Sequence, residues 1–114
     1  MTTTPAASHP LLGQPARVAL HRYRPDQTRS LTSPEEVGPY VAALEAEHTT
    51  SATVPRTMPA AEVTYFDAAG TAVATVVFLS ADDPGMVSAG SRGTWALTAT
   101  ESAALRALLA RHLP

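Results

Sequence analysis

Four histidines, His9, His21, His48 and His112, are the groups in this chain best suited to proton transfer near neutral pH. None stands four residues from another, so no pair shares a helix face as a zinc-binding HExxH segment requires. The chain has no cysteine. Thiolate metal ligands, disulfides and thiol nucleophiles are therefore excluded together. No GxSxG turn marks an activated serine. Glu45 and Glu47 are close in sequence yet fall on different faces of a helix. The adjacent acids Asp82 and Asp83 lack the alternating oxygen ligands of a calcium loop. No metal, no cofactor and no catalytic residue are assigned. An enzymatic reading rests only on His21, His48 and Tyr23 as eligible acid/base groups beneath a loop at 49–59.

The cations offer a second chemistry. Every basic residue is arginine, and Arg17, Arg22, Arg24 and Arg29 crowd one stretch in which Asp26 is the nearby acid. Such a cluster suits an anion or nucleic acid, with Tyr23 as a stacking ring. It equally suits an edge strand blunted by charge, which the physics of exposed edges favours. Arg92, within Gly90-Ser91-Arg92-Gly93, is a further anion-binding candidate, since consecutive backbone N–H groups can cradle a phosphate. That segment opens no helix and lacks P-loop spacing, so a hairpin turn is the plainer reading.

Elements must hold these groups, and the longest β-prone stretch runs from Glu62 to Leu79. Val, Thr, Tyr and Phe flank Asp67-Ala68-Ala69-Gly70, whose residue types form a type I turn with a glycine bulge. That turn predicts Tyr65 opposite Val73, Val63 opposite Thr75 and Ala61 opposite Val77. Val63, Tyr65, Val73, Val77 and Leu79 then face the core. Phe66, Val76 and Phe78 fall on the second face and, with Trp95, become candidates for an interface.

Ala16 to Arg24 reads as the first strand, and Pro25-Asp26 ends it. Ser33-Pro34-Glu35-Glu36 signals a helix start, with a cap, a first-turn proline and a capping-box carboxylate. The stripe Val37, Tyr40, Val41 and Leu44 carries that helix through Gly38-Pro39 to about His48. Short strands follow at Met86–Ser88 and Thr94–Leu97, and Thr98 to Glu101 caps a final helix from about Ala99 to His112. The fold class is α+β: an antiparallel meander of four to five strands with two helices, in the order β-α-β-β-β-β-α. Residues 1–15 are expected to form a flexible arm and 16–114 a single domain.

A length of 114 residues suits one domain. An aromatic content of 5% limits the core and makes support from a partner attractive. The net charge of −2 gives no general pull toward nucleic acid or membrane. No signal-like start and no spanning apolar run are present, so a cytoplasmic protein is expected. The leading expectation is a small non-catalytic interaction or ligand-binding domain, self-associating as a homodimer through its sheet. Anion or nucleic-acid binding and a small enzyme are the alternatives.

Overall fold

The computed structural model describes residues 12–24, 26–44, 51–53, 58–79 and 85–113. Residues 1–11 of the expected arm, His9, His48, Asp82 and Asp83 lie outside them. The first helix ends at Ala42, with Ala43 as its C-cap, and so stops short of the expected His48. The strands are β1 (Arg17–Tyr23), β2 (Asp26–Leu31), β3 (Ala61–Phe66), β4 (Ala72–Phe78), β5 (Met86–Ser88) and β6 (Thr94–Ala96). The helices are α1 (Pro34–Ala42), between β2 and β3, and α2 (Ala99–His112), after β6. One sheet of order β2-β1-β3-β4-β5-β6 contains all six strands, and every neighbouring pair is antiparallel. The α+β class stands, with one strand more than expected.

That extra strand is β2. Its sequence, DQTRSL, ends in a lone apolar anchor, Leu31, and shows no alternation. Backbone pairing with β1 holds it, from Tyr23 opposite Asp26 to Val18 opposite Leu31. Only Leu31 of the six is buried.

The β3–β4 turn forms as its residues dictate. Asp67 Oδ1 accepts from the Ala69 and Thr71 amides at 3.0 and 2.9 Å, and Gly70 sits at φ +85°. A bulge between Tyr65 and Phe66 then changes the register. Phe66 pairs with Ala72, but Tyr65 pairs with Ala74, Val63 with Val76 and Ala61 with Phe78. One residue of slip exchanges the faces of a strand. Val76 (0% exposed) and Phe78 (2%) therefore lie in the core with Ala74. The expected couple of Tyr65 and Val73 does not form, and Val73 is only partly buried. Phe66 stays on the outer face, with the Arg17 guanidinium 4.0 Å over its ring. The apolar patch expected from Phe66, Val76 and Phe78 is thus not assembled.

Both helices cover the inner face. Val37, Tyr40 and Val41 of α1 and Leu105 and Leu109 of α2 join Val18, Leu20, Val63, Tyr65, Val76 and Val87 in one cluster. Ser33 caps α1 by accepting from the Glu36 amide at 3.3 Å. The helix continues through Gly38-Pro39 and closes with an Ala43 amide bond to the Pro39 carbonyl at 3.0 Å. In α2 the capping box is complete: Thr98 Oγ1 accepts from the Glu101 amide at 3.1 Å, and Glu101 Oε1 from the Thr98 amide at 2.9 Å.

Gly85 has no room for a side chain. A Cβ there would stand 2.8 Å from Phe78 and 2.9 Å from Leu97, both buried. Gly85→Ala is expected to destabilise by about 1–3 kcal/mol through overpacking. Gly38→Ala meets nothing within 4 Å and lies inside α1. It is expected to stabilise by about 0.4–1 kcal/mol. Urea midpoints of the two variants should move in opposite directions.

Candidate functional site

The end of β1 delivers Arg22 and Arg24 to one side of a cleft of about 410 Å³. Pairing places Ala61 of β3 opposite Arg22 and Phe78 of β4 opposite Ala61, which builds the floor. The C-terminal half of α2 forms the other wall through Arg106, Leu109 and Ala110, followed by Leu113. Met58, Pro59, Ala60 and Leu79 add to the apolar lining. Among the described residues, the lining is apolar apart from the three arginines.

Each arginine is held differently. Arg22 Nη1 donates to the Leu113 carbonyl at 2.8 Å and Nη2 donates to Gln27 Oε1, which ties the chain after α2 to the sheet. Arg106 lies 5.0 Å over the Phe78 ring, a cation–π contact. Arg24 is exposed. Met58, 65% exposed, leaves a large apolar side chain in solvent at this lining.

A second polar group sits on the outer face. His21 Nε2 and Asp26 Oδ1 are 2.6 Å apart, and the Tyr23 hydroxyl donates to Glu62 Oε1 at 2.9 Å. The His21 and Tyr23 rings stack at 3.9 Å. Burial, then the hydrogen bond to Glu62 and the negative charges of Glu62 and Asp26, raise the Tyr23 pKa above its ordinary value. Its phenol is therefore a neutral donor at pH 7, not a base. The fold does bring the eligible residues His21 and Tyr23 together, but across the strand from the cleft. Of the loop at 49–59, Ser51 bridges to Trp95 and the Ala52 amide reaches the Thr94 carbonyl, at the β6 edge. Three strands, β3, β4 and β5, separate that edge from β1. Among the described residues, no three His, Asp or Glu side chains are placed to share a metal ion.

A third seam links the helices to the β2 edge. The Tyr40 hydroxyl and His112 Nδ1 are 2.8 Å apart, and the Tyr65 hydroxyl donates to the Tyr40 carbonyl at 2.8 Å. Arg29 reaches Glu36 at 3.4 Å and the His112 carbonyl at 3.5 Å. Burial raises the Tyr40 and Tyr65 pKa values well above the ordinary range. In the unfolded chain a phenol ionises near pH 10. The contribution of these neutral phenols is complete below that pH and declines as pH rises toward the folded-state values. Each fully buried phenol then removes about 1.4 kcal/mol per pH unit. Stability should fall steeply above about pH 10, and Tyr65→Phe should make that fall shallower in urea titrations.

The arginine cluster of the sequence is divided by the fold. Arg17 lies on the outer face over Phe66, Arg29 at the helix seam, and Arg92 in the 3-10 turn (Gly90–Arg92) between β5 and β6. Only Arg22 and Arg24 meet, and Arg106 joins them. Trp95 is half-buried against the core, opposite Val87. Sequence reasoning missed Arg106 and the pocket role of Phe78, whereas Met58 and Pro59 belong to the 49–59 stretch read as a candidate site loop. The helical spacing of Arg106 from Leu109 and Ala110 was the one available signal, because residues three and four apart share a face.

Compared with known protein families, with curated proteins and with solved structures, the chain matches none.

Proposed function

We propose that this chain is a small, non-catalytic ligand-binding domain whose site is the cleft between the C-terminal half of α2 and the ends of β1, β3 and β4. The observation that supports this reading is the lining. Its volume of about 410 Å³ falls among small-molecule sites, and its wall is apolar with a few convergent polar groups. Among the described residues, that lining holds no nucleophile and no general base. Self-association through the sheet finds less support, since two of the three residues of the expected patch are in the core. The outer face is mixed, with Thr64, Thr75, Ser88 and Thr94 interleaved with Phe66, Val77 and Met86 along its strands.

Titration with the neutral dye Nile red, followed by amide NMR shifts, tests the proposal. Shifts should concentrate at Ala60, Ala61, Leu109 and Ala110. Ala110→Trp, a substitution at an exposed helix position that fills the cleft, should abolish them. Shifts confined to the outer face, or unaltered by that variant, would contradict the proposal.

A further inference from the structure

The two edges of the sheet end differently. At β6 the chain closes the edge: Ser51 bridges Trp95, and the Ala52 amide donates to the Thr94 carbonyl at 3.0 Å. At β2, among the described residues, nothing pairs with the outer side of the strand. The ladder fixes which groups look outward there. The Tyr23 amide donates to the Ala60 carbonyl at 3.1 Å, on the β3 side of β1. Backbone groups of successive residues in a strand point to opposite sides. Arg22, Leu20 and Val18 therefore turn theirs toward β2, where Gln27, Arg29 and Leu31 are their partners. The N–H and C=O groups of Asp26, Thr28 and Ser30 point away from the sheet, and all three residues are exposed. We propose that β2 pairs edge to edge with β2 of a second copy, antiparallel, with Thr28 opposite Thr28 of that copy. The surface is the edge of the sheet, not its outer face, and it is independent of the cleft.

Three observations support this partner and this register. First, the strand is complementary to itself. A twofold axis at Thr28, normal to the sheet, sets Asp26 of each copy opposite Ser30 of the other, so every outward N–H meets a carbonyl. The helices of both copies then stay on one face of a continuous sheet. Second, charge selects the register. Sliding the copies one way sets Arg29 opposite Arg29, a like-charge pair that destabilises a sheet. Sliding them the other way sets Ser30 against Arg24, in the turn outside the strand. In the register proposed, Gln27 faces Arg29 and Thr28 faces Thr28, a favourable cross-strand pair. Third, β2 lacks the devices that block edge pairing, namely proline, a bulge or an unpaired charge. Its range holds no proline, and its register with β1 is unbroken. Arg29 turns to the inner face opposite Leu20 and reaches Glu36 at 3.4 Å, while Asp26 is held by His21 at 2.6 Å. One strand pair buries little area, so the dimer is weak and forms at high concentration.

The test is sedimentation equilibrium on the intact chain from micromolar to millimolar concentration, with amide hydrogen exchange followed by NMR at both ends of the range. The mass should approach that of a dimer at the high end. There the Asp26, Thr28 and Ser30 amides should exchange more slowly, while those of Gln27 and Arg29, already bonded to β1, should change less. Thr28→Pro removes the central donor yet keeps the monomer, since an edge strand tolerates proline where the N–H faces solvent. It should weaken association at least about tenfold, the scale of the hydrogen bonds lost. Thr28→Val keeps the amide and should still associate. Far-UV circular dichroism checks that both variants fold, and if Thr28→Pro does not, the exchange pattern of the intact chain decides alone. A monomer at millimolar concentration overturns the proposal. So does a dimer that Thr28→Pro leaves unweakened, or one whose new protection lies outside β2. Nile red binding in the cleft is read separately, so either reading can fail without the other.

Discussion

Val76→Asp is expected to abolish the folded state, while Thr75→Asp, one residue away, is expected to leave it populated. Val76 is fully buried opposite Val63, between the sheet and its helices. Removing its side chain from the core forfeits roughly 1.5–3 kcal/mol. An unpaired buried charge adds on the order of 3–5 kcal/mol. The sum is comparable to the whole stability of a small domain, roughly 5–15 kcal/mol. Thr75 points to the other face, opposite Thr64 and Ser88. Thr75 is half-buried, so aspartate there keeps part of its hydration and costs about 1 kcal/mol in strand propensity. Far-UV circular dichroism and urea titration separate the two outcomes. The register first inferred from the turn, without the bulge, gives the reverse ranking. A folded Val76→Asp protein would therefore refute the pairing described above.

The second large effect lies in α1. Tyr40→Ala is expected to destabilise by about 3–5 kcal/mol, the range for deleting a buried aromatic ring. Tyr40 is fully buried, its hydroxyl meets His112 of α2, and its carbonyl receives the Tyr65 hydroxyl. The ring is thus the point at which both helices and β3 converge. Tyr40→Phe keeps the ring and removes the bond to His112, so its cost should be about 1 kcal/mol. Denaturant titrations with equal slopes would show that both variants alter stability and not the compactness of the unfolded chain. A Tyr40→Ala loss below that of Tyr40→Phe would mean that ring packing is not what joins the helices.

Local signals read from the sequence were reliable wherever the determining atoms are neighbours in the chain. Ser33 with Glu36 and Thr98 with Glu101 announced both helix starts; the reciprocal box forms at Thr98, while at Ser33 the side chain caps the Glu36 amide and the Glu36 carboxylate accepts from the Ser33 hydroxyl. Asp67 and Gly70 announced the β3–β4 turn in the same way. The buried stripe Val37, Tyr40, Val41 follows directly from helical period. Strand β2 escaped because an edge strand can be held by backbone pairing, which leaves no hydrophobic alternation to read. The cleft escaped for a related reason. Arg24, Phe78 and Arg106 are far apart in sequence, and no local pattern brings them together.

By itself the sequence determined the helix starts, the turn chemistry, the absence of cysteine chemistry and the α+β class, since each depends on short-range sterics or on residue type alone, whereas the first helix ends at Ala42, short of the expected His48. Tertiary structure decided which face of β4 became the core. The bulge at Tyr65 and Phe66 shifts β4 by one residue against β3. Ala74, Val76 and Phe78 consequently pack beneath the helices. Turn residues set only the first pair of a hairpin, whereas the helices that must be covered select the register beyond it. The same choice turned Phe78 from an expected contact for a second subunit into the floor of the arginine-lined cleft.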